Sequence, residues 1–168
     1  VAEARSLARL VHPNIVGVHQ VFEDNDTAYM VLDFIDGRDL QAIMETTDRA
    51  FAPAQIVTML KKMLSAVEFI HQTGMLHRDI SPDNIILPGG DPSRAKIIDF
   101  GIARSSILGE GTVVGSGFAG KYNYVSPEQL GLYGGEVAGR SDMYSFALVL
   151  AQAMTGRAID MGGSQVDI

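Results

Sequence analysis

A chain of 168 residues, 46% hydrophobic and 20% charged, is long and apolar enough to bury one real core, which excludes wholesale disorder. Its formal net charge of -7 repels polyanions over most of the surface and argues against a nucleic-acid-binding role. There is no cysteine, which excludes a disulfide framework, a thiolate nucleophile and a cysteine-based zinc site, and His12, His19, His71 and His77 have no ligand-like spacing.

The first segment reads as a helix, with Ala2, Leu7, Ala8 and Leu10 apolar among Glu3, Arg5 and Arg9, and it ends at His12-Pro13-Asn14. Runs from Ile15 to Phe22 and from Thr27 to Phe34 predict two strands, joined into an antiparallel hairpin by Glu23-Asp24-Asn25-Asp26. Ile35-Asp36-Gly37 breaks this pattern, and Asp39 to Met44 predicts a short helix. From Pro53 the residues Ile56, Leu60, Met63, Leu64, Val67 and Ile70 repeat at helical spacing as far as Gly74, which predicts a long amphipathic helix. A second hairpin is expected from Ile85-Ile86-Leu87 and Ala95 to Ile98, joined across Pro88-Gly89-Gly90-Asp91-Pro92. Residues 101–126 are rich in Gly, Ser and Thr and read as a long functional loop, whereas Asp142 to Met154 reads as a helix buried on most sides. The apolar stretch from Phe146 to Met154 is too short to span a bilayer, and Val1 to Arg5 lack the apolar core of a signal peptide. The location expected on these grounds is the cytoplasm, or a cytoplasmic domain of a larger protein.

Three motifs follow one another: His77-Arg78-Asp79 with Asn84 five residues after the Asp, Asp99-Phe100-Gly101, and Ser126-Pro127-Glu128. In this order and spacing they resemble the catalytic loop, the metal-binding motif and the substrate-side motif of the eukaryotic-like, bacterial-type Ser/Thr protein kinases. The resemblance covers essentially the whole chain. It implies an α+β, protein-kinase-like fold: residues 1–35 as a remnant of the N-lobe and hinge, and residues 36–168 as a mostly helical C-lobe through the large buried helix. It also implies transfer of the ATP γ-phosphate to Ser or Thr of a protein, with Mg2+ or Mn2+ as the metal. Such chemistry needs an oriented nucleophile and neutralised phosphate charge, with little covalent work for the protein. Asp79 is the expected carboxylate that orients the hydroxyl and accepts its proton, while Asn84 and Asp99 offer the hard oxygens that magnesium prefers.

By the same resemblance Glu3 would pair with a strand lysine, and Leu7, Val18, Phe100 and His77 would stack into a spine anchored by Asp142. Leu32 would be the gatekeeper, the backbones of Asp33 and Ile35 would bond the adenine, and Ile86 would lie beneath it. Arg78 would gather a phosphorylated loop, with Ser105, Ser106, Thr112 and Ser116 as candidate acceptors. The protein substrate would dock near Lys121 to Glu128, and Glu128 would pair with an arginine of a later segment. Two departures stand out. Ser81 occupies the position of the family's lysine two residues after the catalytic Asp, and Lys121 occupies that of the usual threonine after Gly120. The two positions face each other in the family, so Lys121 is expected to return the positive charge to the γ-phosphate while Ser81 supplies the hydroxyl. No Gly-rich loop or strand lysine precedes Glu3, so the expectation is a truncated domain, inactive by itself, whose parent is a kinase. A pseudokinase binding module, or a small-molecule phosphotransferase, remains the alternative.

Overall fold

The computed structural model describes residues 10–47, 51–99 and 123–159. The first predicted helix, apart from Leu10, and the loop up to residue 122 lie outside these. Strand β1 (Val18–Asp24) pairs antiparallel with β2 (Thr27–Leu32) through a two-residue turn in which Asn25 and Asp26 have φ of 49° and 57°. Two left-handed residues in a row match the twist of the flanking strands, and Asn and Asp tolerate that conformation better than bulkier residues. The register slips between Val18 and Gln20, which leaves a bulge at His19.

The expected strand from Ile15 is split. Its first residues join a different sheet: Ile15 bridges Ile97 in parallel, the Val16 N–H donates to the Ile97 carbonyl at 2.9 Å, and the Ile97 N–H donates to the Asn14 carbonyl at 2.9 Å. The break falls at Gly17, where a Cβ would stand 2.4 Å from Asp33 Oδ2, so that a larger residue would have to displace the Asp33 carboxylate from its present position. Asn14 reinforces the crossing by donating from Nδ2 to the Ala95 carbonyl at 2.8 Å.

The second sheet has the antiparallel order β3 (Gly37–Asp39), β4 (Ile85–Pro88), β5 (Lys96–Ile97). Its β4–β5 hairpin is the one read from the sequence. Strand β3 is not; it forms where Gly37 approaches the Leu87 carbonyl so closely that a Cβ would come within 2.5 Å. Helix α1 (Leu40–Thr46) starts where the Asp39 carboxylate accepts from the Ala42 N–H at 2.7 Å. Helix α2 (Pro53–Gln72) opens on proline and buries Ile56, Met59, Met63, Ala66, Val67 and Ile70 along one stripe. Helix α3 (Gly139–Thr155) begins three residues before the expected start and ends at Gly156, whose φ is 73°. It buries one stripe, Ser141, Asp142, Ser145, Phe146, Val149, Gln152 and Ala153, and leaves Met143 and Met154 exposed. The expectation of burial on most sides is therefore corrected: packing against α2 covers a single face. The core lies between α2, the three-stranded sheet and α3, with Leu40, Met59, Met63, Ile70, Ile85, Leu87 and Ile97 fully buried. No described helix is long and apolar enough to cross a membrane.

Candidate active site

The segment between α2 and β4 carries most of the candidate residues, and one buried carboxylate holds its shape. Asp142, 1% exposed at the first turn of α3, accepts from the His77 N–H at 2.9 Å and from the Arg78 N–H at 2.7 Å. Its Oδ2 also meets His71 Nε2 at 2.8 Å. Arg78 is thereby held at a φ of 65°, a conformation that costs a non-glycine residue about 1 kcal/mol or more. Hydrogen bonds to a charged group are worth roughly 1.5–3 kcal/mol each, so the carboxylate outweighs the strain. From the other side, Gln129 Nε2 donates to the Arg78 carbonyl at 2.8 Å.

The fully buried His77 ring receives the Asp79 N–H on Nδ1 at 3.2 Å, so its proton sits on Nε2 and is donated to the Ile98 carbonyl at 3.1 Å. Burial lowers its pKa below the ordinary value, against the opposing pull of Asp142, the Ile98 carbonyl, Asp79 and Asp99. His77 is therefore a neutral strut that links the segment between α2 and β4 to the end of β5.

Asp79 is half-buried, and its carbonyl accepts from Asn84 Nδ2 at 2.8 Å. That bond fixes the Asn84 amide, leaving Oδ1 as its remaining polar atom. The Ile98 N–H donates to the Asn84 carbonyl at 3.0 Å, which brings the start of β4 and the end of β5 together and places Asp99 just beyond. Asp99 is exposed and has a φ of 51°. Among the described residues no group of three or more His, Cys, Asp or Glu could hold a metal. One carboxylate and one amide oxygen fit magnesium all the same, because this ion commonly takes one or two protein oxygens and fills its shell with phosphate and water.

Ser81 is buried, and its hydroxyl donates to Asp83 Oδ1 at 2.5 Å. Glu128 accepts from the Ser141 hydroxyl at 2.6 Å, and this bond leads the causes that hold its carboxyl below the usual range. Tyr124 donates its phenol proton to Gln152 Oε1, and burial, followed by the Asp83 charge, pushes its pKa up to about 12.

At the far end of β2, Leu32 and Ile35 are half-buried and Asp33 is exposed, while Ile86 is half-buried on β4. The Asp33 N–H donates to the Gly17 carbonyl at 2.9 Å, and its carboxylate accepts from the Gly17 N–H at 3.2 Å and meets His19 Nε2 at 2.7 Å. The residue after β2 is thus braced against Gly17 and the bulge of β1. Glu3, Leu7, Phe100, Ser105, Ser106, Thr112, Ser116 and Lys121 lie outside the described residues.

Sequence reasoning missed Gln129, Ser141, His71 and Asn14. Only Gln129 left a local signal: Ser126 and Gln129 have the spacing of a capping box, and Gln129 Oε1 does accept from the Ser126 N–H at 3.3 Å and from its hydroxyl at 3.0 Å.

The description "Protein kinase domain" matches residues 1–166. The serine/threonine-protein kinase PknB of Mycobacterium leprae is 35% identical over 170 residues, covering 99% of this chain and 26% of that protein. The serine/threonine-protein kinase PrkC of Bacillus subtilis is 34% identical over 170 residues, covering 99% of this chain and 25% of that protein. The chain thus spans about a quarter of the length of these relatives. Among solved structures, Rad53 1–466 in complex with AMP-PNP aligns with a TM-score of 0.76 at 29% identity, covering 99% of this chain and 40% of that one. The PknI kinase domain of Mycobacterium tuberculosis aligns with a TM-score of 0.73 at 27% identity, covering 97% of this chain and 57% of that one. With a buried aspartate locking the His77-Arg78 backbone, an asparagine oriented by the Asp79 carbonyl and the family match over residues 1–166, the chain belongs to the protein kinase family, alongside bacterial Ser/Thr kinases.

Proposed function

We propose that this chain belongs to the catalytic core of an ATP-dependent Ser/Thr protein kinase, with residues 1–35 a remnant of the smaller lobe and hinge and residues 36–168 the larger lobe through its large buried helix. The observation that carries the reading is the Asn84 Nδ2 bond to the Asp79 carbonyl at 2.8 Å, because it ties the candidate base to the candidate metal ligand as one unit. The names of the relatives and the nucleotide analogue in the Rad53 structure support ATP as the donor.

Adenine would lie between Leu32 and Ile86 and bond the Asp33 carbonyl and the Ile35 N–H. The Asp33 N–H is already committed to Gly17, which leaves the carbonyl as the main-chain group of Asp33 for this task. Asn84 Oδ1 and the Asp99 carboxylate would hold Mg2+, with Mn2+ an acceptable substitute, to neutralise the phosphate charge. Asp79 would accept a hydrogen bond from the substrate hydroxyl and take its proton as the oxygen bonds to the γ-phosphorus and the bond to the β-phosphate oxygen breaks, releasing ADP. Substrate would dock along Lys121 to Glu128. Arg78 would receive a phosphorylated residue among Ser105, Ser106, Thr112 and Ser116, and Glu3 would orient a lysine that contacts the phosphates. A site fed by ATP and a pool of protein hydroxyls belongs in the cytoplasm.

Ser81 favours a second reading, a pseudokinase that binds partners without transfer, since serine and not lysine stands two residues after Asp79 and the serine proton goes to Asp83. We assign the missing charge to Lys121. The test is radiolabelled ATP incubated with the full-length protein and generic protein substrates. Label on Ser or Thr, lost in Asp79→Ala, supports the kinase reading; nucleotide binding without transfer selects the binding module. Lys121→Met is expected to abolish transfer while nucleotide binding survives, and unchanged turnover would contradict the role given to Lys121.

A further inference from the structure

We infer that Gln129 is a positioning residue that couples the substrate-docking turn to the catalytic base, an inference that rests on the kinase reading above. The turn Pro127–Leu130 is tied to the rest of the molecule by two adjacent side chains that run in different directions. Glu128 accepts from Ser141 on α3 at 2.6 Å. The next residue on α3, Asp142, accepts from the Arg78 N–H at 2.7 Å. Gln129 Nε2 donates to the carbonyl of that same Arg78 at 2.8 Å, which closes a ring of hydrogen bonds from docking turn to helix to catalytic loop and back.

Arg78 is the residue that such a ring must control. Its φ of 65° is held from both ends, by Asp142 at its N–H and by Gln129 at its carbonyl. The carbonyl belongs to the peptide whose nitrogen is that of Asp79, so rotation about that peptide would re-aim the Asp79 side chain. Gln129 is 7% exposed, and its Oε1 accepts from both the N–H and the hydroxyl of Ser126 while its Nε2 reaches the loop. A side chain serving only as a cap would need the oxygen alone. The nitrogen is directed 51 residues back along the chain, at the carbonyl that immediately precedes the base. Docking of a protein segment on the turn would therefore register at Asp79 through a single amide.

The two halves of the amide can be separated. Gln129→Glu keeps the oxygen that accepts from Ser126 and sets a carboxylate oxygen against the Arg78 carbonyl in place of the donor. Gln129→Leu removes both. In the full-length protein, Gln129→Glu is expected to lower kcat about tenfold at pH 8 while leaving the KM for ATP unchanged, and to raise amide exchange at Arg78 and Asp79. Its kcat relative to wild type should recover as pH falls toward 6, because a protonated Glu regains a donor. A Gln129→Glu enzyme with wild-type kcat and wild-type exchange at Arg78 and Asp79 would overturn the coupling and reduce Gln129 to a cap. Should Gln129→Leu fail to fold, Gln129→Glu alone decides. Wild-type protein that transfers no phosphate overturns the kinase reading, and with it the catalytic role of Gln129, an outcome distinct from an active wild type with an equally active Gln129→Glu.

Discussion

His77 is neutral in the folded chain because burial outweighs the groups around it that favour its charged form. The folded pKa is thus lower than the unfolded one, near 6.5, and the unfolded chain takes up a proton first as the solution is acidified. His77 contributes stability that is present above about pH 6.5 and is lost as pH falls toward its folded pKa. His12 acts in the same direction, lowered by burial and then by Lys96 and Lys62. The urea midpoint should fall between pH 7 and pH 5.5, and His77→Phe should flatten part of that slope. At pH 7.5 the same variant should lose about 1–3 kcal/mol, since the Ile98 carbonyl is left without its ring donor. An unchanged slope in His77→Phe would contradict the assignment. At this scale the sequence offered Asp79, Asn84 and Asp99 as candidates through the resemblance of their motifs and the carboxylate and amide chemistry that phosphoryl transfer uses. His71 and Ser141 were not legible, since each acts through a partner 71 or 13 residues away and no local pattern marks it, and the capping-box spacing of Gln129 gives no sign of its bond to Arg78, 51 residues away.

The elements followed their periodicity where one face met one core. Helix α2 shows this, with Met63 and Ile70 buried on the predicted stripe. The misread elements are those decided by close approach between distant backbones. Gly37 appeared to be a breaker, yet it is a strand residue because the Leu87 carbonyl leaves no room for a Cβ. Gly37→Ala is accordingly expected to destabilise the fold by roughly 1–3 kcal/mol in urea unfolding, as overpacking against a carbonyl that the β3–β4 pairing holds in place. A midpoint at or above that of the wild type would show that the sheet yields freely. The split at Gly17 comes instead from backbone hydrogen bonds to two different distant strands. The run Ile15 to Phe22 has strand character throughout, but Asn14 and Val16 satisfy the edge of β5, and only from Val18 does the chain turn to β2.

At the scale of the molecule, the β1–β2 hairpin and the helical body are joined by backbone rather than by side-chain packing alone. The Asn14 to Val16 segment hydrogen-bonds Ile97, and β4 and β5 in turn carry Asn84 and Asp99 at their ends. Asp142 then fixes the loop that carries Asp79, so α3, α2 and the end of the sheet each supply one constraint on the candidate site. The α+β class and the kinase-like fold were readable from the motif order, and Asp142 was expected to anchor His77, whereas its contact with His71 was not, because it depends on where α3 begins relative to α2. In the function we propose, Asp79, held by this frame, is the base of a protein phosphotransferase. It is tested most directly by measuring ATP-dependent phosphate incorporation into protein Ser and Thr by the full-length wild type and by Asp79→Asn, with nucleotide affinity measured alongside. Incorporation that drops at least about a hundredfold in Asp79→Asn while ATP affinity is retained is the predicted result; transfer at the wild-type rate by Asp79→Asn, or none by the wild type, would contradict it.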